Sequence, residues 1–223
     1  MSLEVAVLRM VNHYMINYNY LLVDHISRNA LIVDPAWHID KVEYALYSRA
    51  AQLKGILITH AHRDHIDLAK PLSEKYRIPI WISKEEVAAS GFDAANIELL
   101  NNNTPWVTAS MTVEPILTPG HTPGCICFKV GDNLFTGDVL FAEGCGIVPS
   151  VEAAYQMYDS IQLLKSRVAD STRIYPGHSY GVTPGQAFSD IKDNNIYLHF
   201  RDKESFAGFR LRKTQNKNIF KFN

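Results

Sequence analysis

Cysteine is scarce: Cys125, Cys127 and Cys145 are the only three, an odd count without the spacing of a disulfide framework. A reducing compartment is expected, and with it a cytoplasmic protein. Charge of one sign is also missing. Twenty-two Lys and Arg against 23 Asp and Glu leave a formal net charge of −1, which gives no electrostatic case for nucleic acid or an anionic membrane as partner. No apolar run approaches a membrane span, and Glu4, Arg9 and Asn12 stand where a leader peptide would need an apolar block. Nor is there a Ser-His-Asp spacing or a cysteine placed as a nucleophile. What remains is 47% hydrophobic and 20% charged over 223 residues, the balance of an ordinary globular domain. One domain over 1–223 is expected, with 184–223 as a helical and basic tail packed on it.

Periodicity divides that domain into two β-rich halves. Leu3 to Leu8, Tyr18 to Val23 and Ala30 to Val33 read as a meander of strands, with a helix from His38 to Gln52 after it. Gly55 to Ile58 reads as a buried strand, Leu68, Ala69, Leu72 and Tyr76 as a helix, and Ile78 to Ile82 as another strand. A short helix from Ser83 and a turn-rich stretch from Asn101 to Pro105 separate the halves. Strands at Met111 to Leu117, Cys125 to Val130 and Asn133 to Thr136 precede a long amphipathic helix, Val151 to Val168, and a last strand at Arg173 to Tyr175. Pro184 to about Leu198 is read as helical, with a basic and aromatic end beyond. Such halves imply a sheet-on-sheet core with helices outside.

The chemistry concentrates where strands give way to loops. Thr59-His60-Ala61-His62-Arg63-Asp64-His65 follows the Gly55–Ile58 strand and holds four metal-ligating side chains. His60 and His62 are spaced to face one side of extended chain, whereas Asp64 and His65 enter a helical turn. One ion does not easily take all four; two ions side by side do. His121 in Pro-Gly-His, Asp138 in Thr-Gly-Asp and His178 in Pro-Gly-His are three further candidates. Each follows a glycine, which permits backbone angles that other residues resist. Cys125 and Cys127 read as core. Asp34 is read either as support for a ligand histidine or as a turn aspartate.

Together, Thr-His-x-His-x-Asp-His, Pro-Gly-His-Thr-Pro-Gly, Thr-Gly-Asp and Gly-His resemble the metallo-β-lactamase superfamily in order and relative spacing. Within it, Gly137 to Phe141, Gly144-Cys145-Gly146 and Gln156-Met157-Tyr158 resemble the glyoxalase II (hydroxyacylglutathione hydrolase) branch. The resemblance implies an α/β fold, an αββα sandwich of two mixed β-sheets with helices on both outer faces. It also implies one metal on His60, His62 and His121 and a second on Asp64, His65 and His178, with Asp138 bridging. Nitrogen and oxygen ligands suit two divalent ions, above all Zn2+, with Fe or Mn also accommodated. Two such cations about 3.5–4 Å apart share a water and lower its pKa, giving a hydroxide to attack a carbonyl. Asp64 is expected to orient it. A thioester suits the site, because its leaving thiol has a pKa of about 8.5 and departs with little help.

For the thiol carrier, two relatives within the superfamily compete. Glyoxalase II relatives follow Gly-Cys-Gly with a basic and an aromatic residue that hold glutathione; this chain has Ile147 and Val148 there. Arg201-Asp202-Lys203 resembles the basic segment near the end of glyoxalase II, so Arg201 and Lys203 are the expected substrate-binding residues, the other reading being a solvated charged end. The compact length and divergent thiol-binding segment also resemble the zinc-dependent hydrolases of bacterial polyketide biosynthesis. The expected substrate is thus a small-molecule or carrier-protein-bound acyl thioester. Glyoxalase II activity is the alternative, and phosphodiesterase or single-iron dioxygenase chemistry stands further off. Oligomeric state is left open.

Overall fold

Alternation within the strands decides where the core sits. In β2 (Met15–Asp24), Leu21 and Val23 turn to one face and Tyr20 and Leu22 to the other, and all four are buried. The same division splits Ala30 and Ile32 from Leu31 and Val33 in β3 (Asn29–Val33). Strands apolar on both faces need cover on both. Each fully buried Leu, Ile or Phe contributes about 1.5–3 kcal/mol, so a misplaced layer would be costly.

The computed structural model, which describes residues 3–100 and 103–212, meets that demand with two six-stranded sheets. β1 (Leu3–Asn12), β2, β3, β4 (Gln52–Leu57), β5 (Ile80–Ser83) and β6 (Ile97–Leu100) form the first in sequence order. Its first three strands are antiparallel and β3 to β6 are parallel. β7 (Trp106–Thr108), β8 (Met111–Leu117), β9 (Ile126–Val130), β10 (Asn133–Gly137), β11 (Arg173–Pro176) and β12 (Gln186–Ala187) form the second, parallel only between β10 and β11. Tyr20, Leu22 and Leu57 of the first sheet meet Phe128, Val130 and Phe135 of the second in the central layer.

Helices cover the two outer faces. α1 (Ile39–Tyr47) and α3 (Ala69–Tyr76) pack Val42, Leu46 and Leu72 against the first sheet; the single turn α2 (Arg63–Ile66) precedes α3. α4 (Lys84–Ser90) starts on a Ser83 cap that accepts from the Glu86 N–H at 3.0 Å. α5 (Val151–Arg167) buries Ala154, Met157, Ile161 and Leu164, one helical stripe, against the second sheet. α6 (Phe188–Asn194) and α7 (Lys203–Arg210) complete that layer through Phe188, Ile191, Phe206 and Ala207. The mixed sandwich is therefore the αββα architecture expected.

Several element bounds differ from those expected. β1 and β2 extend toward a two-residue connection, pairing Asn12 with Met15 across His13 and Tyr14; His13 takes φ 52°. The first helix ends at Tyr47 because the chain turns at Ala50, φ 47°, into β4. β6 and β7 are edge strands that periodicity did not reveal, being too short to show alternation. The basic end beyond Leu198 forms a helix, α7, capped by Asp202, which accepts from the Ser205 N–H at 2.7 Å. Residues 213–223 of the expected tail lie outside the described residues, as do Asn101 and Asn102 of the turn-rich stretch. Among the described residues no helix is long and apolar enough to cross a membrane.

Candidate metal centre

Four strands deliver the predicted ligands to one edge of the sandwich. The chain leaving β4 runs through Ile58 and Thr59 to His60 and His62, then turns into α2 with Asp64 and His65. β8 leads to His121, β10 to Asp138 and β11 to His178. Bonds between the sheets hold these loops in register: the Ile126 N–H reaches the Thr59 carbonyl and the Tyr18 N–H the Gly177 carbonyl, both at 3.0 Å. The Tyr20 hydroxyl donates to the Pro176 carbonyl.

The glycines before the ligands serve two purposes. Gly120 (φ 140°) and Gly137 (φ 48°) adopt the left-handed region that other side chains resist. Gly177 has no such angle. It is required by space, since a Cβ there would come 2.5 Å from His65 Cε1 and 2.7 Å from Asp138 Oδ1.

Two clusters result. His60 Nε2 and His121 Nε2 lie 3.1 and 2.9 Å from His62 Nδ1. Asp64 Oδ2 lies 3.4 Å from His178 Nε2 and 3.7 Å from His65 Nε2. Asp138 stands between them: Oδ2 is 3.5 Å from both His121 Nε2 and His178 Nε2, and Oδ1 is 3.6 Å from His65 Nε2. Within each trio, His60, His62 and His121 or Asp64, His65 and His178, ligand atoms lie within 4.8 Å of one another. The expected seven residues are thus brought together.

A bound cation fits this arrangement on the donors' own chemistry. The outward ring nitrogens have fixed partners: His121 Nδ1 with the Ile147 carbonyl and His178 Nδ1 with the Ile16 carbonyl, both at 2.8 Å, and His65 Nδ1 with Asp34 Oδ2 at 3.0 Å. His60 Nδ1 meets the Thr59 hydroxyl at 3.0 Å, and that hydroxyl donates to Asp34 Oδ2 at 2.6 Å. Those bonds leave lone pairs pointing inward. His62 Nδ1 then faces two acceptor nitrogens, and one ring hydrogen can satisfy only one of them. His65 Nε2 and Asp138 Oδ1 are buried without a hydrogen-bond partner. A cation at each position resolves every one of these conflicts.

Electrostatics differ between the clusters: against the effect of burial, Asp138 raises the His65 ring and raises His178 to about 11. Burial alone would raise the Asp64 carboxyl, but its bond to His178 and the nearby His65 bring it down to about 2. Burial likewise opposes ionisation of Asp138, yet His178 and His65 hold it well below the carboxylate range. Burial pushes the His60 and His121 rings down, keeping them neutral and available as ligands. Asp34 proves more than a turn aspartate: at φ 49°, it also accepts the Thr59 N–H at 2.8 Å. It forms a third close group with His60 and His65, but Oδ2 is already committed to the His65 ring and the Thr59 hydroxyl.

The clusters form the floor of a cavity of about 640 Å³, the size of a small-molecule site. Phe141, Ile147, Tyr197 and Phe209 supply apolar wall, and Arg210 and Arg212 supply the cations. The expected substrate residues are placed elsewhere. Arg201 and Lys203 are exposed and outside this lining, with the Lys203 ammonium 5.0 Å from the Tyr155 ring centroid. Arg210 and Arg212 lie beyond the Arg201-Asp202-Lys203 segment that carries the resemblance, and so were not among the expected residues. Asp202 followed by Glu204 was the available helix-start signal, and a helix from there turns Phe206, Ala207 and Arg210 inward.

Comparison with known proteins agrees with this architecture. The family model of the metallo-beta-lactamase superfamily matches residues 15–178. The chain is 40% identical over 207 residues to the probable polyketide biosynthesis zinc-dependent hydrolase PksB of Bacillus subtilis, covering 92% of each chain. It is 34% identical over 181 residues to a hydroxyacylglutathione hydrolase of Pelagibacter ubique, covering 80% of this chain and 72% of that one. Among solved structures, a metallo-beta-lactamase from Staphylococcus aureus superposes with a TM-score of 0.85 over 99% of this chain and 70% of its own. At 20% identity, that likeness concerns the fold alone.

Proposed function

Because this chain belongs to the metallo-beta-lactamase superfamily, we propose that it is a two-zinc hydrolase of acyl thioesters. Its substrate is carried on a pantetheine-type arm, small or protein-bound, in polyketide biosynthesis. The observation that carries this reading is the pair of ligand clusters joined by Asp138 at the floor of a largely apolar cavity. His60, His62 and His121 would hold one ion, Asp64, His65 and His178 the other, with Asp138 common to both. When bound, such a pair supplies Lewis acidity toward a carbonyl and lowers the pKa of water.

The chain's own residues do the rest. Asp64 lines the cavity as an anion and accepts a hydrogen bond from the attacking water, which orients it toward the carbonyl. Phe141, Ile147 and Phe209 take up the acyl and thiol chains and exclude bulk water. No protein acid is required for a thiol of pKa about 8.5 to leave. Cys145 also lines the cavity, but burial pushes its thiol up to about 12, so it is not the nucleophile.

Glyoxalase II activity is the second reading, favoured by the hydroxyacylglutathione hydrolase relatives and by Arg210 and Arg212, which suit glutathione's carboxylates. Apolar Ile147, 55% exposed at the cavity, weighs against it. A panel of lactoylglutathione, acyl-pantetheine and acyl-carrier-protein thioesters decides the matter. The expected result is the highest kcat/KM on the pantetheine-linked substrates. Faster cleavage of lactoylglutathione would select the second reading, and preference for lactams or oxygen esters would remove both.

A further inference from the structure

Glu86, the third residue of α4, is 2% exposed, yet its carboxylate lies among neutral donors. Oε1 accepts the N–H of Ala61, the residue between His60 and His62, at 2.8 Å. Oε2 accepts the Thr122 hydroxyl at 2.6 Å and the Gly124 N–H at 3.1 Å, both on the loop that carries His121. Ser83, three residues earlier, donates its hydroxyl to the Gly124 carbonyl at 2.5 Å. The start of α4 therefore grips Gly124 by both its N–H and its carbonyl. A Cβ on Gly124 would come 2.0 Å from Glu86 N, so only glycine allows this approach.

Those bonds connect two loops from different sheets. His60 and His62 follow β4 of the first sheet, and His121 follows β8 of the second. The three-histidine position therefore spans the gap between sheets, and its geometry depends on how far apart the loops sit. The other position has separate supports: Asp34 on His65, the Ile16 carbonyl on His178, and the Asn17 amide on the Asp64 carbonyl. A buried carboxylate is costly unless its oxygens are satisfied, and here the donors to it lie on the two ligand loops.

We propose that Glu86 is a positioning residue for the three-histidine metal position alone, one carboxylate that sets the distance between the His60–His62 loop and the His121 loop. The proposal rests on the two-metal reading above. It predicts that the two positions can be uncoupled by a residue touching neither ion.

The test strips the full chain with a chelator and titrates it with zinc against a chromophoric competitor. His121→Ala and His178→Ala serve to assign the two dissociation constants. Glu86→Gln keeps the shape but turns an amide toward the donors; it is expected to weaken the three-histidine position about 10–100-fold and to leave the other within about twofold. Thr122→Val removes one donor and keeps the carboxylate, so it is expected to shift the same position by a smaller factor; it carries the test if Glu86→Gln does not fold. Equal weakening of both positions, or no change at either, would overturn the proposal. Absence of thioester cleavage with two zinc ions bound would strike the functional reading and leave this split intact.

Discussion

The two halves of the centre follow different designs. The first consists of three imidazoles, with the Asp138 carboxylate 3.5 Å from His121. The second places Asp64 and His65 on one helical turn, adds His178 from β11, and has Asp34 directly behind His65. A carboxylate ligand attracts a divalent cation by charge, so the second half tolerates error in angle. Neutral imidazoles bind through directed lone pairs, so the first half depends on the loops being held in place. Each half joins two residues close in sequence, after β4, to one delivered by the second sheet, so both require the assembled sandwich.

Substitution at Asp138 should break the comparison most severely, since it belongs to both halves. Asp138→Ala is expected to lower kcat/KM by about 10³-fold or more and to weaken both zinc positions. Loss confined to one position would show that the carboxylate is not shared. Asp34→Asn is milder and sharpens the contrast: Asp34 holds His65 directly but reaches His60 only through Thr59. Chelator competition should show about 10–100-fold weaker zinc at the second position and a smaller change at the first. Away from the metals, Arg212→Ala should raise KM for a phosphopantetheine thioester about 3–10-fold with kcat unchanged, while Arg201→Ala stays within about twofold. The reverse order would restore the tail residues read from sequence. Steady-state kinetics on a single substrate suffices.

Legibility followed distance along the chain. His60, His62, Asp64 and His65 stood out because four ligands within six residues, bounded by a strand and a helical pattern, form a local signal. His121, Asp138 and His178 were readable as loop ends preceded by glycine, though at Gly177 the physical reason turned out to be the space claimed by His65 and Asp138. Glu86 carried no signal at all. It sits in the first turn of an ordinary short helix, where a glutamate is commonplace, and its partners lie 25, 36 and 38 residues away. β6 and β7 escaped because strands of four and three residues are too short for alternation, and are defined by the neighbours they pair with.

Periodicity in the amino acids alone implied the sheet-on-sheet core, and the clustered loop ends, together with the superfamily resemblance, supplied the seven candidate ligands that the fold brings together. Such signals are local, and need no distant partner to be noticed. Tertiary structure alone decided which carboxylates stand behind the ligands, that Arg210 and Arg212 line the cavity in place of Arg201 and Lys203, and that one glutamate joins loops from opposite sheets. Such choices depend on the docking of one sheet and its helices against the other, and only the packed sandwich brings those groups within hydrogen-bonding reach.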